Sequence, residues 1–152
     1  MKRSLFLFLI LTSIIITTAC AGKDNNKPLK ETRSNMINVK IGSKLFTATL
    51  ADNSSTRALM EKLAEGEITI EMKDYASMEK VGPLGMSLPR NDEQITTTAG
   101  DIILYQGSAL VIYYEPNSWK FTRIGKINNA TKEELIKAMG PGDVTVVLSL
   151  IK

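Results

Sequence analysis

The sequence predicts a mainly β domain, a closed or nearly closed β-barrel with two short helices. About seven short runs of alternating or β-branched residues follow residue 35, and Gly, Pro, Asn and Ser separate them. Only two segments have apolar residues at helical spacing, one after the first pair of strands and one before the last strand. Many short strands with helices near the two ends are typical of a small barrel whose openings the helices cover.

The most apolar and aromatic stretch of the domain lies at residues 100–127, and we take it as the centre of the barrel. Two of its runs flank Gly107-Ser108, and glycine supplies the positive φ that a tight hairpin turn needs. A break at Pro116-Asn117 separates the third run from the second. The predicted strands are therefore 102–105, 109–114 and 119–127.

The residues before this centre predict a hairpin, a helix and a third strand. Strict alternation indicates strands that are buried on one face, and a stripe that contains Leu59 and Leu63 indicates an amphipathic helix. The predicted elements are a hairpin at 37–41 and 45–50, a helix that begins within 52–55 and stops at Gly66, and a strand at 67–72. Residues 73–99 show the least regular pattern and read as a long loop, the expected rim of a binding site.

The last two elements are a helix and a closing strand. Thr131 and Glu134 have the spacing of a capping box, and Gly140-Pro141 ends the helix. Alternation from Val144 to Leu150 then predicts the final strand.

The N-terminus has the composition of a secretory leader. Lys2 and Arg3 form a positive region, an apolar run follows, and Thr17-Thr18-Ala19 precede Cys20, the only cysteine. This arrangement resembles the lipobox of bacterial lipoproteins, which implies that Cys20 is lipidated after removal of residues 1–19. A plain signal peptide with a coincidental cysteine is one alternative. An uncleaved membrane anchor is the other, and it is disfavoured because the apolar run is shorter than the about 20 residues that span a bilayer.

A polar segment at residues 20–35 separates the leader from the domain at 36–152. Its composition is typical of a flexible tether, because it contains too few apolar residues to pack. The predicted location is the bacterial cell envelope, with the lipid on Cys20 as the membrane partner. Ala21, rather than an aspartate, follows the cysteine, which implies the outer membrane if the host has two membranes.

Charge and composition exclude several classes of function. Two of the 19 basic residues lie in the leader, which leaves 17 basic against 16 acidic residues, scattered along the chain, so nucleic acid is not an expected partner. The chain has no histidine, and its one cysteine is assigned to the lipid. A catalytic triad with histidine and a zinc site of cysteine and histidine are therefore excluded, and we predict no metal, no cofactor and no catalytic residue.

The order of elements resembles the cyclophilin-like family of small bacterial proteins. The resemblance rests on Gly100-Asp101, on Leu104-Tyr105, on the run Leu110–Tyr114, on Phe121-Thr122-Arg123 with Ile124–Ile127, and on Met139-Gly140 with Val144–Val146. It covers residues 36–152 and implies a cyclophilin-like barrel. The resemblance implies no established activity, because the family has none.

Arg123 is the arginine with the most apolar surroundings in the sequence. It alternates with Trp119, Phe121, Gly125 and Ile127, so it faces inward if they do. One hypothesis is that it binds a carbonyl or carboxylate above an aromatic floor. The other is that it pairs with Glu115, Asp101 or a backbone carbonyl and closes one end of the barrel.

The predicted site is an open groove between residues 82–99 and the strand 119–127. Its predicted ligand-binding residues are Arg123, Trp119, Phe121, Tyr105, Tyr114, Leu84 and Pro89. The function predicted from these features is binding of a peptide or small molecule, without catalysis. A weak peptidyl-prolyl isomerase and an accessory subunit of a membrane complex are the alternatives. True cyclophilins use an arginine beside a phenylalanine and a histidine, and this chain has no histidine.

Overall fold

The structure is a computed structural model that describes residues 35–152. The predicted leader, the lipidation site Cys20 and residues 20–34 of the predicted tether lie outside the described residues. The described chain forms nine strands and two helices. These are β1 (Met36–Ile41), β2 (Lys44–Leu50), α1 (Ser54–Glu65), β3 (Ile68–Tyr75), β4 (Glu79–Pro83), β5 (Glu93–Thr96), β6 (Asp101–Tyr105), β7 (Ala109–Tyr113), β8 (Ser118–Ile127), α2 (Lys132–Met139) and β9 (Val144–Leu150).

Eight of the strands close into an antiparallel barrel. Their order is β2-β1-β9-β3-β4-β7-β6-β8, and β8 pairs again with β2. Gly125 lies at this closure, where a Cβ atom would come within 2.4 Å of the Thr49 carbonyl oxygen, so only glycine allows the two strands to approach. The predicted fold class, a closed barrel with two helices, is confirmed.

The strand β5 is an addition to the barrel. It pairs with the first half of β8, where Glu93 lies opposite Phe121 and Thr96 opposite Ser118. The second half of the same edge of β8 pairs with β2. The long strand β8 is therefore part of the barrel and also pairs with the outer strand β5.

The alternation of side chains divides the apolar residues into two groups. The larger group fills the barrel, and α1 and α2 add Leu59, Leu63, Leu135 and Met139 to it. The smaller group, which we call the second cluster, lies on the opposite face of the strands. It consists of Ile95, Ile103, Val111, Tyr113 and Phe121, with Val81 packed against it. The outer face of the barrel is thus apolar where β4, β7, β6, β8 and β5 adjoin.

Both helices begin at a capping box. Thr131 accepts a hydrogen bond from the Glu134 backbone N–H, and the Glu134 carboxylate accepts one from the Thr131 N–H, as the sequence predicts. Asn53 caps α1 and exchanges hydrogen bonds with Thr56. No helix in residues 35–152 is long and apolar enough to cross a membrane.

The prediction for residues 73–99 was wrong in part. Instead of one long loop, the segment completes β3 and forms β4 and β5. The sequence of β4 does not show the alternation of apolar and polar residues expected of a strand, because the charged residues Glu79 and Lys80 are both buried. Ile95 is the only buried residue of β5, and a single apolar residue gives no period.

The prediction that Arg123 shares a face with Gly125 and Ile127 was also wrong. The pairing between β6 and β8 shifts register, so that Ile102 lies opposite Gly125 while Ile103 lies opposite Arg123. This irregularity places Ile124 and Ile127 in the barrel core and leaves Phe121 in the second cluster. Arg123 therefore lies on the outer face with Phe121.

Candidate functional site

An open groove crosses the outer face of the barrel over the second cluster. The turn between β3 and β4 forms one side, and the start of β8 forms the other. We call it the outer groove, and its volume is about 360 Å³. Its lining residues are Tyr75, Met78, Glu79, Val81, Tyr105, Val111, Tyr113, Asn117, Trp119 and Phe121. Because β-sheet hydrogen bonds fix its base, the groove is preformed.

Aromatic side chains dominate the outer groove at two levels. Tyr113 and Phe121 are buried in its base, with ring centroids 5.7 Å apart and planes tilted by 50°. Trp119 and Tyr75 stand at its rim and are 64% and 62% exposed, and Tyr105 is 40% exposed. Rim side chains of this size lose apolar exposed surface when a ligand covers them.

One carboxyl group is buried in the base of the outer groove. Glu79 is 8% exposed and lies directly opposite Tyr113 in the β4–β7 pair. The Tyr113 hydroxyl donates a hydrogen bond to the Glu79 carboxyl and accepts one from Asn117 Nδ2 at 3.3 Å. These three side chains form a short polar line between aromatic rings.

Burial controls the protonation of this polar line. Loss of solvation raises the pKa of the Glu79 carboxyl above its ordinary value, and the Tyr113 hydrogen bond offsets only part of that effect. Burial, followed by the hydrogen bond to Glu79, raises the pKa of the Tyr113 hydroxyl. Tyr113 is therefore a hydrogen-bond donor at neutral pH, and Glu79 is its acceptor.

The structure brings three of the predicted ligand-binding residues into the outer groove. Trp119 and Phe121 come from β8, and Tyr105 comes from the end of β6. Their role in binding stays a prediction. The rest of the lining comes from the end of β3 and the turn after it, from β4, from β7 and from the segment between β7 and β8, and none of it comes from the predicted residues 82–99.

Arg123 lies outside the lining of the outer groove. Its guanidinium donates to the Asp101 carboxylate at 2.7 Å, and Lys126 Nζ lies 3.6 Å from the same oxygen. Thr98 donates to the second oxygen of Asp101 through its backbone N–H at 2.8 Å. This is the pairing that the alternative hypothesis for Arg123 describes, with Asp101 as the partner.

The remaining predicted residues lie elsewhere. Leu84 is buried in the barrel core, while Pro89 is exposed, and its carbonyl oxygen accepts a hydrogen bond from Ser55. Tyr114 belongs to the barrel core, and its hydroxyl donates to Asp74 at 2.6 Å. Tyr114 and Asp74 line a different hollow of about 500 Å³ beside α2.

Glu79 and Tyr75 are among the seven groove residues that the sequence prediction missed. The signal for them is the pairing of β4 with β7, because Glu79 opposite Tyr113 places both on the face of Phe121. That pairing is not local in the sequence. Tyr75 and Glu79 are brought together by the turn between β3 and β4, in which the backbones of Ala76 and Ser77 adopt positive φ.

The described residues offer no metal site. No group of three His, Cys, Asp or Glu side chains within residues 35–152 is placed to hold a metal ion.

A third hollow of about 470 Å³ lies beside α1, where Asp52, Arg57 and Glu61 are among its lining residues. Unlike the outer groove, it has no aromatic lining residue.

Comparisons with known proteins identify the family. Residues 39–149 match the model of the cyclophilin-like family. The fold is similar to that of a hypothetical protein from Archaeoglobus fulgidus, known from a solution structure, with a TM-score of 0.57 and 12% sequence identity over 78% of this chain and 96% of the other. No curated protein matches the sequence. On the match over residues 39–149, the chain belongs to the cyclophilin-like family.

Proposed function

We propose that the protein is a lipid-anchored protein of the bacterial cell envelope whose barrel binds a peptide or small molecule in the outer groove. The exposure of the aromatic rim is the main support. Three of the six exposed large hydrophobic side chains in residues 35–152 line this one groove, namely Tyr75, Tyr105 and Trp119. A cluster of exposed apolar residues above a buried aromatic base is typical of a binding site.

We propose binding rather than peptidyl-prolyl isomerisation because of the position of Arg123. Isomerase chemistry by analogy with true cyclophilins depends on an arginine that can reach the substrate. The Arg123 guanidinium is paired with the buried Asp101 carboxylate, and its side chain is absent from the groove lining. Withdrawing it would leave Asp101, which is 1% exposed, with only the longer contact to Lys126 as an ion pair.

Binding can be tested through Trp119, because it is the only tryptophan in the sequence. The probes are N-acetylated tripeptide amides with alanine at both ends and a central residue that runs through every natural amino acid except tryptophan. We expect a subset of them to change Trp119 fluorescence in a saturable way. Tyr75→Ala should weaken that binding about tenfold, the effect of losing one aromatic contact.

Leu45→Ala is the matched control, because Leu45 is as exposed as Tyr75, at 63%, and lies outside the outer groove. It should leave binding unchanged. If none of the peptides produces saturable binding, or if Leu45→Ala weakens binding as much as Tyr75→Ala, the proposed role of the groove is wrong.

The lipid anchor is tested separately. Cys20→Ser removes the thiol that the lipid would modify, so the variant should leave the membrane fraction while the wild type stays there. Retention of the variant in the membrane fraction would contradict lipidation at Cys20.

A further inference from the structure

We infer that the outer groove selects a ligand with an organic cation on an aliphatic stem, and that the Glu79 carboxylate is its counter-ion. This inference rests on the proposed function of the groove. It names the chemistry of the ligand: a lysine side chain of a peptide and a free alkylammonium are two sources of the same group.

The first support is the charge balance around Glu79. None of the lysine and arginine nitrogens in the described part of the chain lies within 4.0 Å of its carboxylate oxygens. The adjacent lysine, Lys80, extends to the opposite face of the sheet, where its Nζ binds Asp74 at 3.0 Å and the Gly142 carbonyl oxygen at 2.7 Å. Glu79 therefore receives a hydrogen bond from Tyr113 but no positive charge.

The other buried carboxylate on the outer face is neutralised. Asp101 is 1% exposed and has both Arg123 and Lys126 within ion-pair distance. A buried carboxylate without a cation is unfavourable, because the hydration that it loses is not replaced. A cation supplied by a ligand would neutralise the Glu79 carboxylate as Arg123 and Lys126 neutralise Asp101.

The second support is the aromatic lining. The faces of tryptophan, tyrosine and phenylalanine rings attract cations, and sites for ammonium groups combine several such rings with a carboxylate. The outer groove places Glu79 among Tyr75, Tyr105, Tyr113 and Trp119. Its apolar base can also cover the methylene stem of a lysine side chain.

The polar line in the base fits a positioning role. Tyr113 donates to Glu79 and accepts from Asn117, so the carboxyl is oriented before a ligand arrives. A purely structural role, in which Glu79 only accepts the Tyr113 hydrogen bond, is the competing explanation. Glu79→Gln separates the two, because glutamine keeps an acceptor for Tyr113 and lacks the charge.

The test compares two ligands of the same shape at low ionic strength and pH 7.5. The probes are N-acetyl-Ala-Lys-Ala-amide and its norleucine analogue, which lacks the ammonium group, with Trp119 fluorescence as the readout. We expect the wild type to bind the lysine peptide at least tenfold more tightly. Glu79→Gln should reduce this preference to twofold or less while it keeps the affinity for the norleucine peptide.

Glu67→Gln is the control, since Glu67 is exposed and absent from the groove lining. It should keep the full preference for the lysine peptide.

The preference for the lysine peptide should also decrease as the pH falls. Burial raises the pKa of Glu79, so its carboxyl is neutralised at a higher pH than that of an ordinary glutamate. The groups that face Glu79 are Tyr113 from β7 and Tyr75 from β3, and the raised pKa of Tyr113 keeps its hydroxyl neutral throughout that range.

The outcomes separate the two proposals. Equal affinity of the wild type for both peptides, or a Glu79→Gln variant that keeps the lysine preference, would overturn the cation inference and leave the groove as a binding site. Failure of both peptides to bind, when other members of the peptide series do bind, would also overturn it. Failure of the whole series would overturn the proposed function together with the inference.

Competition by n-butylammonium chloride would support the inference with a free cation as ligand, and competition only by the lysine peptide would support it with a peptide as ligand.

Discussion

Two consecutive residues of β4, Glu79 and Lys80, have buried charged side chains on opposite faces of the barrel wall. Lys80 points inward, is 1% exposed, and binds both the Asp74 carboxylate and the Gly142 carbonyl oxygen. Glu79 points outward into the aromatic groove and has a hydrogen bond from Tyr113 without a cation. The same strand thus contains a neutralised charge inside and a charge without a counter-ion outside.

This difference indicates which of the two charged side chains stabilises the fold. The Lys80 contacts connect β4 to the end of β3 and to the segment before β9, so they fix one end of the barrel. Glu79 makes no comparable connection, since Tyr113 is already its neighbour in the sheet. A buried carboxylate that adds little to the architecture is a candidate for ligand recognition.

The largest effect is expected when the interior pair is broken. Lys80→Met should lower the free energy of unfolding by about 3 kcal/mol at pH 7, because Asp74 loses its cation and the Gly142 carbonyl loses its donor. Urea unfolding measures the change. The exposed Lys120→Met is the control and should change the free energy of unfolding by less than about 0.5 kcal/mol.

The pH dependence of this effect has a definite sign. Hydrogen bonds from Tyr114 and then Lys80 hold the pKa of Asp74 below its ordinary value. The stability that this pair contributes is therefore present above the ordinary aspartate range and is lost as the pH falls through the lowered pKa. The difference between the wild type and Lys80→Met should shrink in the same direction, and an increase at acid pH would contradict the role given to the pair.

An intermediate effect is expected at Arg123. Arg123→Ala should lower the free energy of unfolding by about 2 kcal/mol, because the buried Asp101 keeps only the longer contact with Lys126. Peptide affinity, measured on the folded variant by Trp119 fluorescence, should stay within twofold of the wild type. A large loss of affinity with normal stability would instead favour Arg123 as a ligand-binding residue.

The smallest effect has the opposite sign. Glu79→Gln should raise the free energy of unfolding by about 1 kcal/mol at pH 7, because it removes a buried charge and keeps an acceptor for Tyr113. The raised pKa of Glu79 makes the wild type lose stability as the pH rises from the ordinary glutamate range through that raised value. The gain should therefore disappear in acid, and thermal unfolding at several pH values measures it. A variant less stable than the wild type at pH 7 would show that Glu79 serves the fold.

The sequence predicts the barrel well because its strongest signals are local. Alternation in β1, β2, β3 and β9 and the Thr131 capping box each depend on a few adjacent residues. The strand β4 escapes prediction for a physical reason, since its two buried charges are stabilised by partners that are distant in the sequence or by the neighbouring strand. Lys80 and Gly142, for example, are 62 residues apart.

The candidate site was predictable only in part. Trp119, Phe121 and Tyr105 were found because aromatic residues in a predicted strand are conspicuous. Their face was not predictable, because a register shift between β6 and β8 interrupts the alternation on which that inference depends. Glu79 was missed because its importance arises from burial and from a neighbour across the sheet, and both are properties of the folded chain.

Nuclear magnetic resonance mapping with the lysine tripeptide tests the central claim, ligand binding in the outer groove, most directly. Titration into the uniformly labelled domain, residues 35–152, should shift the Trp119 indole N–H and the backbone amides of Tyr75, Glu79 and Tyr113 most strongly. Signals of α1 and of the α2 hollow, such as Arg57 and Lys137, should stay in place. The largest shifts at Arg57, at Lys137 or around Arg123, with the groove signals unchanged, would contradict the account.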